Sequence, residues 1–156
     1  FEDDFKFSIH PNKEHDDAFH PSSALKCSRV LFAEFRDDLP KIKPPADSQK
    51  IFMFGHYAHA VLQKIVLELG FCTPEDIEKE YDFHFKTEAG NPYRVRGFID
   101  IARCEIPSKG TKLIDIKTMN ARIYAMNQLP WKTLEKYEAQ VRLYIAFEQW
   151  DEAIIV

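Results

Sequence analysis

Two stretches decide the reading: Gly97-Phe98-Ile99-Asp100 and Leu113-Ile114-Asp115-Ile116-Lys117-Thr118. The first is an apolar run ending in an acid; the second ends in an Asp-x-Lys. In an extended strand, residues i and i+2 project from the same face. Asp115 and Lys117 are therefore expected together, with Ile114 and Ile116 buried on the other side. Pro107-Ser108-Lys109-Gly110 has the residue types of a hairpin turn. The two runs are then antiparallel, which brings Asp100 beside Asp115. Two carboxylates and one ammonium at a sheet edge suit a divalent cation and a phosphodiester.

Working outward, three strands are expected at 78–86, 93–104 and 111–118, with Ala89-Gly90-Asn91-Pro92 as the first turn. Upstream, Ser22 or Ser23 can cap a helix that carries Leu25, Val30, Leu31, Phe32 and Phe35 to about Asp38. Residues 41–48, bracketed by Pro40, Pro44 and Pro45, read as a loop. A second helix is expected from about Ile51 to Leu69, with Ala58, Leu62, Ile65, Val66 and Leu69 as its buried stripe and Gly70 at its C-terminus. The region 119–130 has no clear period. A long helix follows from Pro130 or Lys132 to Phe147, then a core strand in Ala153-Ile154-Ile155-Val156. The expected class is α/β, a small mixed sheet with helices on its faces. Residues 1–19 read as an irregular arm and 20–156 as one domain. His10, His15 and His20 fit neither a helix face nor zinc-finger spacing.

The ordered set of motifs resembles the PD-(D/E)XK nuclease superfamily, and within it the RecB-like exonuclease branch. Besides Asp100 and Asp115-x-Lys117 it includes Gly55-His56-Tyr57-Ala58-His59 on the second helix, Glu80 in the first strand, and Gln140-Val141-Arg142-Leu143-Tyr144, similar to the family's Gln-x-x-x-Tyr. The resemblance covers most of the chain, from about Pro21 to Val156. It implies a restriction-endonuclease-like αβββαβ core with extra N-terminal helices.

It also implies roles. Asp100 and Asp115 would be ligands of Mg²⁺ or Mn²⁺, with the Ile116 carbonyl as a further donor and His59 adding a nitrogen. Glu80 would be the acid of the first strand; Glu78 shares its strand parity and remains an alternative. His56, one turn before His59, is likewise an alternative. Lys117 would hold the scissile phosphate and position the attacking water. Gln140 and Tyr144, at i and i+4 on one helix face, would close over the site and contact DNA. Thr118 would donate to a phosphate oxygen. Tyr124, Trp131 and Tyr137 offer ring faces for unpaired bases. Gln63, four residues after His59, can orient its imidazole.

Composition bounds the rest. The chain has 156 residues, 45% hydrophobic and 13% aromatic, enough for a core. Its formal charge of −4 argues against a general polyanion binder, leaving local patches at Lys41/Lys43, Arg94/Arg96 and Lys132/Lys136. No apolar run spans a bilayer and Phe1-Glu2-Asp3-Asp4 is unlike a signal peptide. Cytoplasmic or organellar residence is expected, without a membrane and without secretion. Cys27, Cys72 and Cys104 have no CxxC spacing. Some RecB-like nucleases, including the CRISPR-adaptation exonucleases, carry a four-cysteine iron–sulfur cluster. Cys27 matches its first position, but the other three would lie beyond Val156, so this chain alone does not support a cluster. The domain is expected to be cut short at its C-terminus.

No GxSxG motif and no phosphate-cradling glycine loop is present. The expectation is therefore a metal-dependent deoxyribonuclease, an exonuclease on single-stranded DNA ends, acting in replication, recombination or repair. A helicase, recombinase or single-strand-binding protein is the expected kind of partner. The alternatives are a structure- or sequence-specific endonuclease on the same core, or a non-catalytic DNA-binding module.

Overall fold

The computed structural model describes residues 17–36, 38, 45–119 and 131–156, the side chains of 131–133 excepted. His10, His15, Lys41, Lys43, Tyr124 and the side chains of Trp131 and Lys132 thus lie outside the described residues. The described chain is a mixed α/β fold: β1 (Ala18–Phe19), α1 (Ser28–Glu34), α2 (Ala46–Glu68), β2 (Ile77–Lys86), β3 (Pro92–Ile106), β4 (Gly110–Asp115), α3 (Trp131–Glu148) and β5 (Ala153–Ile155).

β3 organises the sheet. Its whole N-terminal part pairs antiparallel with β2, Phe85 opposite Tyr93 and Ile77 opposite Ile101. On its other edge it takes β1 in parallel at Arg94 and Val95, and then β4 in antiparallel from Ile101 to Ile106. β5 joins β4 in parallel, Leu113 opposite Ala153 and Asp115 opposite Ile155. The three central strands fall where alternation and turn residues place them. β4, expected to run to 118, ends at Asp115. Backbone bonds from Lys117 N–H to Val156 O (2.7 Å) and from Val156 N–H to Asp115 O (3.0 Å) carry the pairing past both strand ends.

Two apolar clusters sandwich the sheet. On one side Tyr81, Ile99, Ala102 and Leu113 pack with Tyr144 of α3, flanked by Phe83 and Phe147. On the other, Ile101, Cys104, Ile114 and Ile116 pack with Val66 of α2 and with Phe71, Cys72 and Ile77. Ile99 and Ile101 share strand parity yet belong to opposite clusters, and so do Ile77 and Tyr81. The pleat therefore switches face along the rung between them. Glu78 occupies that rung with φ of +47°, a left-handed conformation that non-glycine residues adopt at a cost of about 1–2 kcal/mol.

Four features depart from the sequence reading. The single helix expected to about Asp38 is a 3₁₀ turn at Pro21–Ser23 followed by α1, because Leu25 between them takes φ of +62°. α2 begins at Ala46, inside the expected loop, directly after Pro45, whose fixed φ suits a helix start. Three residues of its expected buried stripe face outward, Leu62, Ile65 and Leu69 being 37%, 45% and 60% exposed, while Val66 packs against the Ile101 cluster; the one buried residue of α2 is Gln63. β1, moreover, recruits Ala18 and Phe19 of the expected arm into the sheet, with Ala18 buried. Among the described residues no helix is long and apolar enough to cross a membrane.

Candidate functional site

α2 crosses the sheet with Gly55, His59 and Gln63 on one line, spaced four residues apart. Gly55 permits the close approach, since a Cβ there would sit 3.0 Å from Thr118 Oγ1. His59 Nδ1 lies 3.2 Å from Asp100 Oδ1. Gln63 Nε2 donates to Glu78 Oε1 at 2.7 Å and to the Asp100 carbonyl at 3.2 Å. One ligand atom from each of His59, Glu78 and Asp100 lies within 4.8 Å of the other two. The neighbouring Asp100 carboxylate raises the pKa of the His59 imidazole, against the opposing effect of burial.

Asp100 also ties the site to the end of β4, because its Oδ2 accepts the Ile116 backbone N–H at 2.6 Å. Asp115 and Lys117 meet, as their spacing implies. Lys117 Nζ donates to Oδ1 at 3.0 Å and lies 2.8 Å from Oδ2. The Asp115 side chain is 1% exposed, and its buried Oδ2 accepts no well-aligned hydrogen bond. Burial lifts its carboxyl from the ordinary 3.8 to about 6, Lys117 opposing the shift and Asp100 adding to it. The Tyr137 ring sits 5.4 Å beneath the Lys117 ammonium, a cation–π contact that steadies the lysine.

α3 closes the far side. Gln140 Nε2 reaches Tyr144 Oη at 3.3 Å and Asp115 Oδ1 at 3.5 Å, and both residues are buried. Burial also raises the Tyr144 phenol, keeping it neutral. Gly97 is where the sheet, the turn at Pro21 and α3 converge. A Cβ there would lie 2.9 Å from Pro21 Cδ and 3.1 Å from the Tyr144 hydroxyl.

Most of the residues singled out in the sequence thus converge: His59, Asp100, Asp115, Ile116, Lys117, Gln140 and Tyr144. Glu80 does not. It is exposed and pairs with Arg96 at 2.5 Å, while Glu78 takes the place beside Asp100. The two glutamates share strand parity, but the left-handed turn at Glu78 sends them to different surroundings. His56 is exposed. Gln63 binds Glu78 and the Asp100 carbonyl, where orientation of His59 had been the expectation. Thr118 is exposed beside α2. Arg94 and Arg96 form ion pairs with Asp82 and Glu80 on the exposed edge of β2 and β3. Cys27 is an exposed free thiol. The chain matches no family model, no curated protein and no solved structure.

The donor set suits a divalent cation. Two carboxylates and an imidazole, each with one ligand atom within reach of the others, form a group that could hold a metal ion. The buried, incompletely bonded Asp115 Oδ2 supplies further negative charge at the edge of the same site.

Proposed function

We propose that this chain is a metal-dependent deoxyribonuclease of the PD-(D/E)XK, RecB-like type, hydrolysing phosphodiester bonds from single-stranded DNA ends. The observation that carries the reading is the convergence of His59, Glu78 and Asp100 beside the Asp115–Lys117 pair. His59, Glu78 and Asp100 would hold the cation, with Asp115 at its edge. A bound Mg²⁺ or Mn²⁺ would lower the pKa of water and offset charge on the phosphate.

The remaining work falls to this chain's own groups. Lys117 is a positive point charge steered by Asp115 and the Tyr137 ring, placed to meet a nonbridging phosphate oxygen and stabilise the charge that develops on it. Its ion pair with Asp115 holds it where it would stabilise the phosphate electrostatically. Asp100 accepts from the Ile116 N–H, and this fixes the orientation of its carboxylate. Gln63 does the same for Glu78. Gln140 links α3 to Asp115, so movement of α3 on binding DNA would reach the site directly.

The test is incubation of the chain with end-labelled single-stranded linear DNA and with closed circular DNA, each with Mg²⁺ or Mn²⁺. Metal-dependent shortening of the linear strand with the circle intact is the expected result, abolished by Lys117→Ala and Asp100→Asn. Cutting of the circle would replace the exonuclease reading with an endonuclease. Binding without cutting of either would leave a DNA-binding module.

A further inference from the structure

Cys72 and Cys104 stand far apart in the chain, and the fold brings them together. The connection from α2 to β2 runs along β3. At its start the Glu105 N–H donates to the Phe71 carbonyl at 2.7 Å, and at its end Ile77 pairs with Ile101. The numbering rises on one side as it falls on the other, so the connection is antiparallel to β3. Cys72 follows Phe71 and Cys104 precedes Glu105, so the two face each other. By ordinary peptide dimensions that one hydrogen bond keeps their Cα atoms within about 8 Å. In a regular antiparallel pair the position beside a hydrogen-bonded one closes to about 4.5 Å, and disulfides span about 4.4–6.8 Å. The side chains also share a side of the sheet. Cys104 belongs to the cluster of Ile101, Ile114 and Ile116, and Cys72 packs against it. Both are free thiols, Cys104 buried and Cys72 half-buried.

We infer that Cys72 and Cys104 form a disulfide site, a covalent clasp between the end of α2 and β3 that a low-molecular-weight disulfide oxidant closes. The Cys72 sulfur, the more accessible of the two, attacks one sulfur of the oxidant as thiolate. The oxidant's S–S bond breaks and one thiolate leaves, taking up a proton. The Cys104 thiolate then attacks the Cys72 sulfur of the mixed disulfide, the second thiolate leaves, and the S–S bond within the chain is made. Two cysteine thiols have lost two protons and two electrons, and the oxidant has gained them as two thiols. Burial pushes the Cys72 thiol up to about 11, with the neighbouring Cys104 adding to the shift, and burial raises Cys104 as well. Neither is a ready nucleophile at neutral pH, so the clasp closes slowly and acts as a structural link rather than as a fast sensor. Cys104 follows Asp100 on β3, and α2 carries His59, so the closed clasp ties together the two elements that meet in the His59–Asp100 contact. The inference does not depend on the nuclease reading.

The test uses the full chain carrying Cys27→Ser, which removes the exposed competing thiol. The folded protein is held with oxidised glutathione until its mass no longer changes, then digested without reduction. A mass lower by two hydrogens is expected, with the Cys72 and Cys104 peptides joined and no glutathione retained. The midpoint of thermal unfolding should rise on the order of 10 °C, as expected for closing a loop of this length in a chain of this size. Dithiothreitol should reverse the rise, and Cys72→Ala in the same background should show none. Two unreacted thiols, or glutathione left standing on Cys72, overturn the inference. So does linkage that forms in urea but not in the folded chain, or a linked chain whose midpoint fails to rise.

Discussion

Replacing Asp115 by asparagine should stabilise the metal-free chain while destroying its proposed activity. The Asp115 carboxyl is 1% exposed, and Lys117 compensates only part of what burial withholds from its charge. Its pKa therefore stands near 6 in the folded chain, against 3.8 for the ordinary group. A raised carboxyl binds its proton more tightly in the folded state than in the unfolded one. Between pH 4 and 6 the folded chain then holds more protons, and stability falls as pH rises. The interval corresponds to a penalty of about 3 kcal/mol, absent below pH 4 and complete above pH 7. Asparagine mimics the protonated form at every pH. Urea unfolding in the presence of a chelator should show the two proteins equally stable near pH 3.5, the variant gaining by about 3 kcal/mol at pH 8. Exposed carboxylates such as Asp82 and Glu152, whose pKa values are lowered by Arg94 and Lys112, act in both proteins and cancel in the difference. A variant no more stable at pH 8, or a difference independent of pH, would refute the claim that Asp115 is held charged against its environment. In the same assay a saturating divalent cation should narrow the gap, since it favours the carboxylate of the natural chain.

Three further outcomes follow from the geometry. Mn²⁺ should raise the midpoint of thermal unfolding of the natural chain and of Glu80→Gln, and should lose that effect in Glu78→Gln and His59→Ala; calorimetric titration of Mn²⁺ checks the same order. Gln63→Ala should weaken Mn²⁺ binding by roughly ten- to a hundredfold through loss of the hydrogen bond that aims Glu78; unchanged affinity would make Gln63 purely structural. Gly97→Ala should destabilise the fold by about 1–3 kcal/mol, because the added Cβ meets Pro21 and the Tyr144 hydroxyl together, and urea unfolding should show a smaller loss when Tyr144→Phe is added.

Local chemistry made the core of the fold legible. The strands and their turns follow from alternation and from Gly90, Pro92, Pro107 and Gly110, and the meeting of Asp115 with Lys117 follows from their spacing. The misreadings have physical causes. The two-residue β1 is too short to carry any period. Leu25 takes a left-handed conformation that its side chain gives no hint of, and so breaks an otherwise regular helical pattern. Glu80 follows from the resemblance and Glu78 shares its parity; parity treats a strand as uniform, and the single left-handed residue at Glu78 sends the two side chains to different surroundings. Helical period alone assigns the α2 stripe to the core; Val66 reaches it, but Leu62, Ile65 and Leu69 do not, because the line turned to the sheet is Gly55, His59 and Gln63.

These departures are not scattered. The rung at Glu78 and Asp100, the polar inward line of α2 and the turn that lets Pro21 reach Gly97 all border one site. A strand that kept its pleat would carry Glu78 away from His59, and a helix that buried its apolar stripe would carry His59 away from Asp100. Each local rule is broken where obeying it would separate the convergent side chains. Strain of about 1–2 kcal/mol at Glu78 and exposed apolar surface on α2 are both features that stability alone would remove. Their placement around the same three ligand-bearing residues is the pattern expected when a fold gives up local consistency to assemble a functional site.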